Sequence, residues 1–201
     1  MARTQAERRE TTRTALLEAA ASCLVDTGVA GFTTAEVGRR AGLSNGALFR
    51  HFPTRNVLLA AAIEHVFDRL RAHYEQAFRD LPTVSRTMPR LLAMLWEVMD
   101  DPALAAAFDV YTSARTDAWL QAAIEPVVTE HVERLAELGR ELLGEVPGVD
   151  ERVADSAVSL SILSMQGLVV NLMAKPDPAA VTRLLDDLHH LSLLLLPTSG
   201  G

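Results

Sequence analysis

The sequence has 201 residues, of which 49% are hydrophobic and 22% charged, a composition that excludes an intrinsically disordered chain and allows one large or two small domains. The formal net charge of −7 is unevenly distributed, because the first 55 residues carry eight Arg and five acidic residues while the remainder is strongly acidic. The single cysteine, Cys23, excludes an intramolecular disulfide and favours a reducing compartment.

The first part of the chain predicts two helices with clear end signals. Apolar residues recur every three or four positions from Thr14, and Gly28 is expected to end this helix because glycine tolerates a positive φ angle. Thr33, followed three residues later by Glu36, predicts a capping box at the start of a short second helix. This helix is expected to end at Gly42.

A third short helix and a long fourth helix follow. Ser44 is expected to cap the third helix, which runs to about Phe52, and Thr54 to cap the fourth. The second and third helices are joined by a tight turn at 42–44, so they predict a helix-turn-helix. Leu48 and Phe52 lie four residues apart and are expected to point inward together. The outer side of the third helix would then carry Asn45, Gly46, Phe49 and Arg50.

The rest of the chain also has helical periodicity and shows no strand alternation or internal repeat. Helices are predicted over 91–99, from 102 onward, over 118–143, over 153–174 and over 179–195. The segment 157–173 is apolar or small on every face, which predicts burial on more than one side. The predicted fold is all-α with about nine helices, divided into an N-terminal helix-turn-helix domain (1–54) and a C-terminal helical domain (55–201).

The stretch from Thr14 to Ala62 resembles the N-terminal domain of the tetracycline-repressor (TetR) family of transcription regulators. The matching features are an Ala-rich first helix ending at Gly28, the turn Ala41-Gly42-Leu43-Ser44, and His51-Phe52 before a basic residue and Leu58. The resemblance implies a sequence-specific DNA-binding regulator, by family default a repressor, that binds a near-palindromic operator in double-stranded DNA. The Arg-rich N-terminal segment is either a solvated tail or an arm that steers the protein toward DNA.

The resemblance also assigns DNA contacts to individual positions. Thr34, His51 and Arg55 would bind backbone phosphates. Phe49 stands where the family commonly has tyrosine, so it has no hydroxyl to offer a phosphate and would instead contact a thymine methyl group. Arg50 is the candidate for base contact, because a guanidinium can bind guanine bidentately. The complete predicted DNA-binding set is Thr33, Thr34, Ser44, Asn45, Gly46, Phe49, Arg50, His51 and Arg55.

The second half of the chain is predicted to hold an effector pocket. Met and aromatic side chains suit an apolar ligand, although at helical spacing they are also typical of a core. Gln166 and Asn171 either orient a ligand or are satisfied by neighbours or at a dimer seam. The predicted pocket residues are Trp96, Met99, Phe108, Tyr111, Trp119, Met165, Gln166 and Asn171.

The last two helices are predicted to form a homodimer. Val153–Ala174 and Ala179–Leu195 carry more apolar surface than one chain can bury, and the resemblance implies that they pair with a second copy as a four-helix bundle. A two-fold dimer would present two recognition helices to two half-sites. A small-molecule effector would change the spacing of these helices through the long fourth helix and release the DNA.

Other function classes have little support in the sequence. No metalloprotease motif, phosphate-binding glycine loop or Cys/His cluster is present, so no enzyme, cofactor or metal site is predicted. No signal peptide or membrane-spanning segment is expected, and the predicted location is cytoplasmic. The alternative to a DNA-binding regulator is a helical bundle that binds a ligand or a protein partner without binding DNA.

Overall fold

The computed structural model describes residues 4–80, 87–144 and 151–195, and all regular secondary structure in these ranges is helical. The prediction of an all-α fold with about nine helices is confirmed for this part of the chain. In chain order the helices are α1 (Gln5–Gly31), α2 (Thr34–Ala41), α3 (Asn45–Phe49), α4 (Arg55–Arg79), α5 (Met88–Met99), α6 (Pro102–Ala114), α7 (Ala118–Gly144), α8 (Glu151–Ala174) and α9 (Pro178–Leu195).

The chain divides into two compact units. The first consists of Met1–Arg69 and Pro102–Val128, and the second of Leu70–Asp101 and Thr129–Gly201. Helices α4 and α7 each contribute residues to both units. The predicted boundary between residues 54 and 55 separates DNA binding from effector binding and dimerisation, and it does not coincide with the boundaries of these compact units. The assignment of these functions to the two parts of the chain stays a prediction.

In the first unit, α1 begins at Gln5, about two and a half turns earlier than expected from the periodicity, and is interrupted near its end. Thr4 caps it: the Thr4 hydroxyl accepts from the Glu7 amide, and the Glu7 carboxylate accepts from the Thr4 amide. Arg8 and Arg9 therefore stand on a helix and are exposed, whereas Arg3 lies outside the described residues. Gly28 breaks the helical path with φ 65° and ψ −175°, and α1 resumes to Gly31.

The core of the first unit lies where α1 packs against α2 and α6. The apolar stripe of α1 is buried and includes Cys23, so this cysteine packs in the core. Phe32 and Val37 bring the start of α2 onto this core, while Leu48 and Phe52 do the same for α3 and the turn after it. The helix-turn-helix is therefore fixed to α1 by buried side chains from each of its parts.

In the second unit, α5 packs against both α8 and α9, which also contact each other. Leu91 and Met94 of α5 form a buried cluster with Val158 of α8. Gly139 of α7 permits a close approach to α8, because a Cβ at this position would lie 2.5 Å from Val158 Cγ1. These helices enclose the cavity described below.

The outer sides of α8 and α9 are apolar but exposed, so the prediction that 157–173 is buried on more than one side is wrong within one chain. The exposed large residues are Leu160, Leu163, Val170 and Met173 on α8 and Leu191, Leu193 and Leu194 on α9. Of these, Leu160 and Leu191 also line the cavity described below.

One segment of α8 is long and apolar enough to cross a membrane by length and composition, and the expectation that the chain has no membrane-spanning segment stays a prediction. Asp155–Ala174 has a mean hydropathy of 1.7 and is 11% buried. The segment has no long uninterrupted apolar run, because serines such as Ser161 and Ser164 interrupt it. An apolar helix with an uncovered outer side also suits an interface with another protein chain.

Candidate DNA-binding surface and ligand cavity

Two side-chain caps and one glycine turn define the helix-turn-helix. The Thr33 hydroxyl accepts from the Glu36 amide at 3.2 Å and caps α2. Gly42 ends α2 in the left-handed conformation with φ 66°, which glycine adopts without a steric penalty. The Ser44 hydroxyl accepts from the Ala47 amide at 3.2 Å and caps α3. The two caps and the glycine turn together fix the angle at which α3 leaves the turn.

Helix α3 and the residues next to it present five residues to solvent and two to the core. Leu48 and Phe52 are buried, as their spacing predicts. The helix ends at Phe49, earlier than expected, because the His51 amide donates to the Leu48 carbonyl in a tighter turn. We call the exposed set the recognition surface; it comprises Ser44, Asn45, Gly46, Phe49 and Arg50.

Glu36 ties α2 internally instead of completing the predicted capping box. Its carboxylate accepts from Arg39 at 2.6 and 2.8 Å and from Arg40 at 2.7 Å, so no reciprocal bond to the Thr33 amide forms. Hydrogen bonds from these two guanidinium groups lower the pKa of Glu36 to about 2. Arg40 also donates to Asp26 at 2.5 Å and Ser22 at 3.0 Å, which fastens α2 to α1.

The predicted phosphate-contacting residues lie around the recognition surface in different local settings. Thr34 and His51 are half-buried. Arg50, the predicted base contact, is an exposed member of the recognition surface, and its Nε donates to the Gly46 carbonyl at 3.2 Å. Arg55 is exposed, but two of its donors bind the end of α1, at the Phe32 and Val29 carbonyls, each at 3.0 Å. Its role as a phosphate contact stays a prediction, while its bracing contacts are part of the structure.

Two further side chains support the same region, and the sequence analysis did not identify either role. The Arg13 guanidinium lies over the Phe52 ring, 5.0 Å from its centroid, which joins α1 to the turn after α3. Asp109 of α6 accepts from the Val29 amide at 2.6 Å, next to the irregular residue Gly28. Their partners are distant in sequence, so no local pattern reveals them.

A cavity of about 120 Å³ lies within the second unit. Residues of α4, α5, α7, α8 and α9 line it, and none of them is charged. The polar side chains in its wall are those of Tyr74, Ser161 and Ser192. An apolar cavity of this kind suits a small organic molecule.

The eight residues predicted for an effector pocket lie elsewhere, and none lines this cavity. Phe108 and Tyr111 of the first unit pack edge to face at 5.9 Å, and Trp119 of the same unit is exposed. In the second unit, Met99 and Met165 are buried, Trp96 and Gln166 are half-buried, and Asn171 is exposed. The Asn171 amide donates to the Gly167 carbonyl at 2.9 Å. An effector role for these eight residues stays a prediction.

Within the described ranges, no group of three or more His, Cys, Asp or Glu side chains has a geometry suited to a metal ion. The adjacent histidines of α9, His189 and His190, have ring centroids 6.1 Å apart.

Known proteins similar to this chain share its organisation. The family model for bacterial regulatory proteins, tetR family, matches residues 16–62, which contain the helix-turn-helix. Rv2912c, an HTH-type transcriptional regulator of Mycobacterium tuberculosis, is 31% identical over 144 residues, covering 72% of this chain and 74% of the relative.

Solved structures with low sequence identity share the fold over nearly the whole chain. The transcriptional regulator RHA1_ro04179 from Rhodococcus sp. Rha1 aligns with a TM-score of 0.71 and 20% identity, covering 90% of this chain and 96% of the other. The multidrug binding protein EbrR, solved in complex with ethidium, aligns with a TM-score of 0.65 and 18% identity, covering 93% of this chain and 99% of the other.

Proposed function

Because this chain is a helix-turn-helix transcriptional regulator of the tetR family of bacterial regulatory proteins, we propose that it represses transcription as a cytoplasmic homodimer bound to a near-palindromic operator. A small, largely apolar effector releases it from the DNA. One observation carries the DNA-binding part of this proposal: the recognition surface projects into solvent while Leu48 and Phe52 hold its backbone against the core.

The recognition surface enters the major groove, and the residues beside it contact the phosphates. Asn45 and Arg50 offer hydrogen-bonding groups to base edges, and exposed Phe49 offers a ring to a thymine methyl group. Thr33, Thr34, Ser44, His51 and Arg55 contact the sugar-phosphate backbone in this proposal. The contacts that Arg55 makes with α1 support a fixed position for its guanidinium at this edge.

Gly46→Ala separates helix stability from DNA binding. A Cβ at Gly46 meets nothing within 4 Å in the free protein, and alanine favours a helix over glycine by about 1 kcal/mol, so the free energy of unfolding should rise by up to that amount. If DNA approaches this backbone closely, the added methyl group obstructs it and operator affinity should fall about tenfold or more. Urea denaturation and fluorescence anisotropy with labelled duplex measure the two effects. Unchanged or increased affinity would contradict the close approach of Gly46 to DNA.

The uncovered apolar surface of α8 and α9 supports a dimer formed with a second copy of this chain. Leu163 is 64% exposed and Leu194 is 83% exposed, although both are large aliphatic residues. A two-fold pairing of these helices would remove this surface from water in both protomers and place two copies of α3 on one duplex. The same pairing accounts for an apolar helix, Asp155–Ala174, without a membrane.

Leu163→Glu should dissociate the dimer. The introduced carboxylate is solvated in the monomer but buried without a partner in the dimer, which should raise the dimer Kd at least about 100-fold. Sedimentation velocity measures this change. Val132→Glu is the matched control, because Val132 is 53% exposed on α7, outside the proposed interface. A Leu163→Glu variant that stays dimeric, or a control that dissociates equally, would contradict this interface.

The effector part of the proposal is supported by the uncharged cavity and by the fold. EbrR, which shares the fold, was crystallised with ethidium, so this helical architecture accommodates an organic ligand. Helix α4 contributes residues to both compact units and follows directly after the helix-turn-helix in the chain, so it is the element that would couple ligand binding to the position of α3. The relatives carry the names of regulators, and the proposed function contains no catalytic step.

DNA binding measured with and without ligand tests the function as a whole. The wild type should bind duplex DNA with an affinity that falls steeply with salt, and a cavity-binding compound should lower that affinity. A protein that binds ligand but no duplex at low ionic strength would instead be the non-DNA-binding helical bundle considered in the sequence analysis.

A further inference from the structure

The cavity in the second unit has one polar feature that the protein itself leaves unused. The Tyr74 side chain lines the cavity and is 4% exposed, and its Oη is buried without a hydrogen-bond partner among the described residues. A buried hydroxyl in this state is destabilising unless a ligand or water completes its hydrogen bonding. Such a group is uncommon in a folded protein and therefore calls for a functional explanation.

The other polar side chains of the cavity wall are already engaged. The Ser161 hydroxyl donates to the Ala157 carbonyl at 2.8 Å, and the Ser192 hydroxyl donates to the His189 carbonyl at 2.6 Å. Each serine has thereby used its single proton. Tyr74 is left as the hydroxyl donor in the described wall whose proton is still available.

The wall also restricts the charge and size of a ligand. Among the described residues the wall contains no cationic or anionic side chain, so a charged ligand would lose its hydration without gaining an ion-pair partner in the wall. The volume of about 120 Å³ is slightly below that of an engineered apolar cavity of about 150 Å³ that binds benzene. Met88 and Met94 belong to the wall, and their flexible side chains can adjust to a ring with one small substituent.

We propose that this cavity binds a neutral monocyclic compound carrying one hydroxyl or carbonyl oxygen, and that Tyr74 selects it by donating a hydrogen bond to that oxygen. The proposal rests on the proposed function in taking this compound as the effector. Burial raises the pKa of Tyr74, so the phenol keeps its proton and remains a donor throughout the physiological pH range.

Isothermal titration calorimetry on the full chain tests the proposal with phenol, benzene and benzoate as probes. Phenol should bind more tightly than benzene, and benzoate should show no binding. Tyr74→Phe should weaken phenol binding by about three- to tenfold and leave benzene affinity unchanged, because a single neutral hydrogen bond is removed. Ser161→Ala is the matched control, since it removes a hydroxyl from the same wall that is already engaged, and its phenol affinity should equal that of the wild type.

A second measurement compares the thermal stability of the wild type and Tyr74→Phe without ligand. Tyr74→Phe removes an unsatisfied buried hydroxyl while keeping the ring, so it should raise the Tm of the ligand-free protein by about 2–4 °C. A lower Tm would overturn the proposal, because it would mean that the protein already satisfies this hydroxyl.

The outcomes separate this proposal from the function on which it rests. Equal phenol affinity of the wild type and Tyr74→Phe, or preferential binding of benzoate, would overturn the role of Tyr74 even if phenol releases DNA. Phenol binding that depends on Tyr74 would support the site, and if phenol then left DNA affinity unchanged, the effector role alone would fail.

Discussion

Gly28→Ala should lower the free energy of unfolding by about 2–4 kcal/mol. With φ 65° and ψ −175°, Gly28 occupies a region that only glycine populates readily, and an alanine held there costs about 1–3 kcal/mol. In addition, the new Cβ would lie 2.6 Å from Asp109 Oδ2. The carboxylate could move aside only by giving up its 2.6 Å hydrogen bond with the Val29 amide. Urea denaturation monitored by circular dichroism measures the change.

Asp109→Ala in the Gly28→Ala background distinguishes the two contributions. Removing the carboxylate relieves the clash but not the backbone strain, so the double variant should be less destabilised than the sum of the two single variants. Strict additivity would mean that Asp109 does not contact the substituted residue. A Gly28→Ala protein as stable as the wild type would show that the irregular conformation at Gly28 is not required.

Lowering the pH from about 7.5 to about 5 should cost about 2 kcal/mol of stability through His131 alone. Burial, with a smaller contribution from the positive charge of Arg71, lowers the pKa of His131 from 6.5 to about 4. The unfolded chain therefore takes up a proton as the pH falls through 6.5, whereas the folded chain does so only near pH 4. The free energy of unfolding is fully retained above pH 6.5 and declines between these two values. The His131 ring also makes an edge-to-face contact with the Tyr74 ring, with centroids 5.6 Å apart, which keeps the imidazole in this buried position.

His131→Gln tests the assignment, because it removes the titrating group from the buried position. Whatever its stability at about pH 7.5, this variant should lose about 2 kcal/mol less than the wild type on going to about pH 5. His190→Gln is the matched control, since His190 is exposed on α9 and its replacement should leave the pH dependence of stability intact. Identical pH profiles for the wild type and His131→Gln would contradict the burial of a neutral imidazole.

The helix-turn-helix was predictable from local sequence signals. Ser44 and Thr33 cap their helices through bonds within one turn, and Leu48 and Phe52 share a face through their spacing. The same local logic was wrong for Glu36, because two arginines compete for its carboxylate and charged donors bind it more strongly than a backbone amide does. It also misplaced the start of α1, where Thr4 and Glu7 form the capping box expected elsewhere.

The ligand cavity was not predictable from the sequence in the same way. The prediction selected Met and aromatic side chains together with Gln166 and Asn171, but a cavity depends on which helices meet and where their packing is incomplete. Tyr74 and Phe78 of α4 do share a face by their four-residue spacing, yet nothing local shows that Leu138 and Ala157 line the same cavity. The exposed apolar side of α8 has a similar cause, because in the proposed dimer it is a second copy of the chain that covers it.

Selection from a pool of random DNA duplexes tests the central claim most directly, namely that α3 binds duplex DNA twice per assembly. The wild-type protein should enrich inverted half-sites whose centres lie about one helical turn, or a multiple of it, apart. Arg50→Ala should relax the preference at one base position in each half-site, and Arg115→Ala, which removes an exposed arginine of the first unit far along the sequence, should leave the enriched motif unchanged. A pool that shows no enrichment, or a motif without an inverted repeat, would contradict the account.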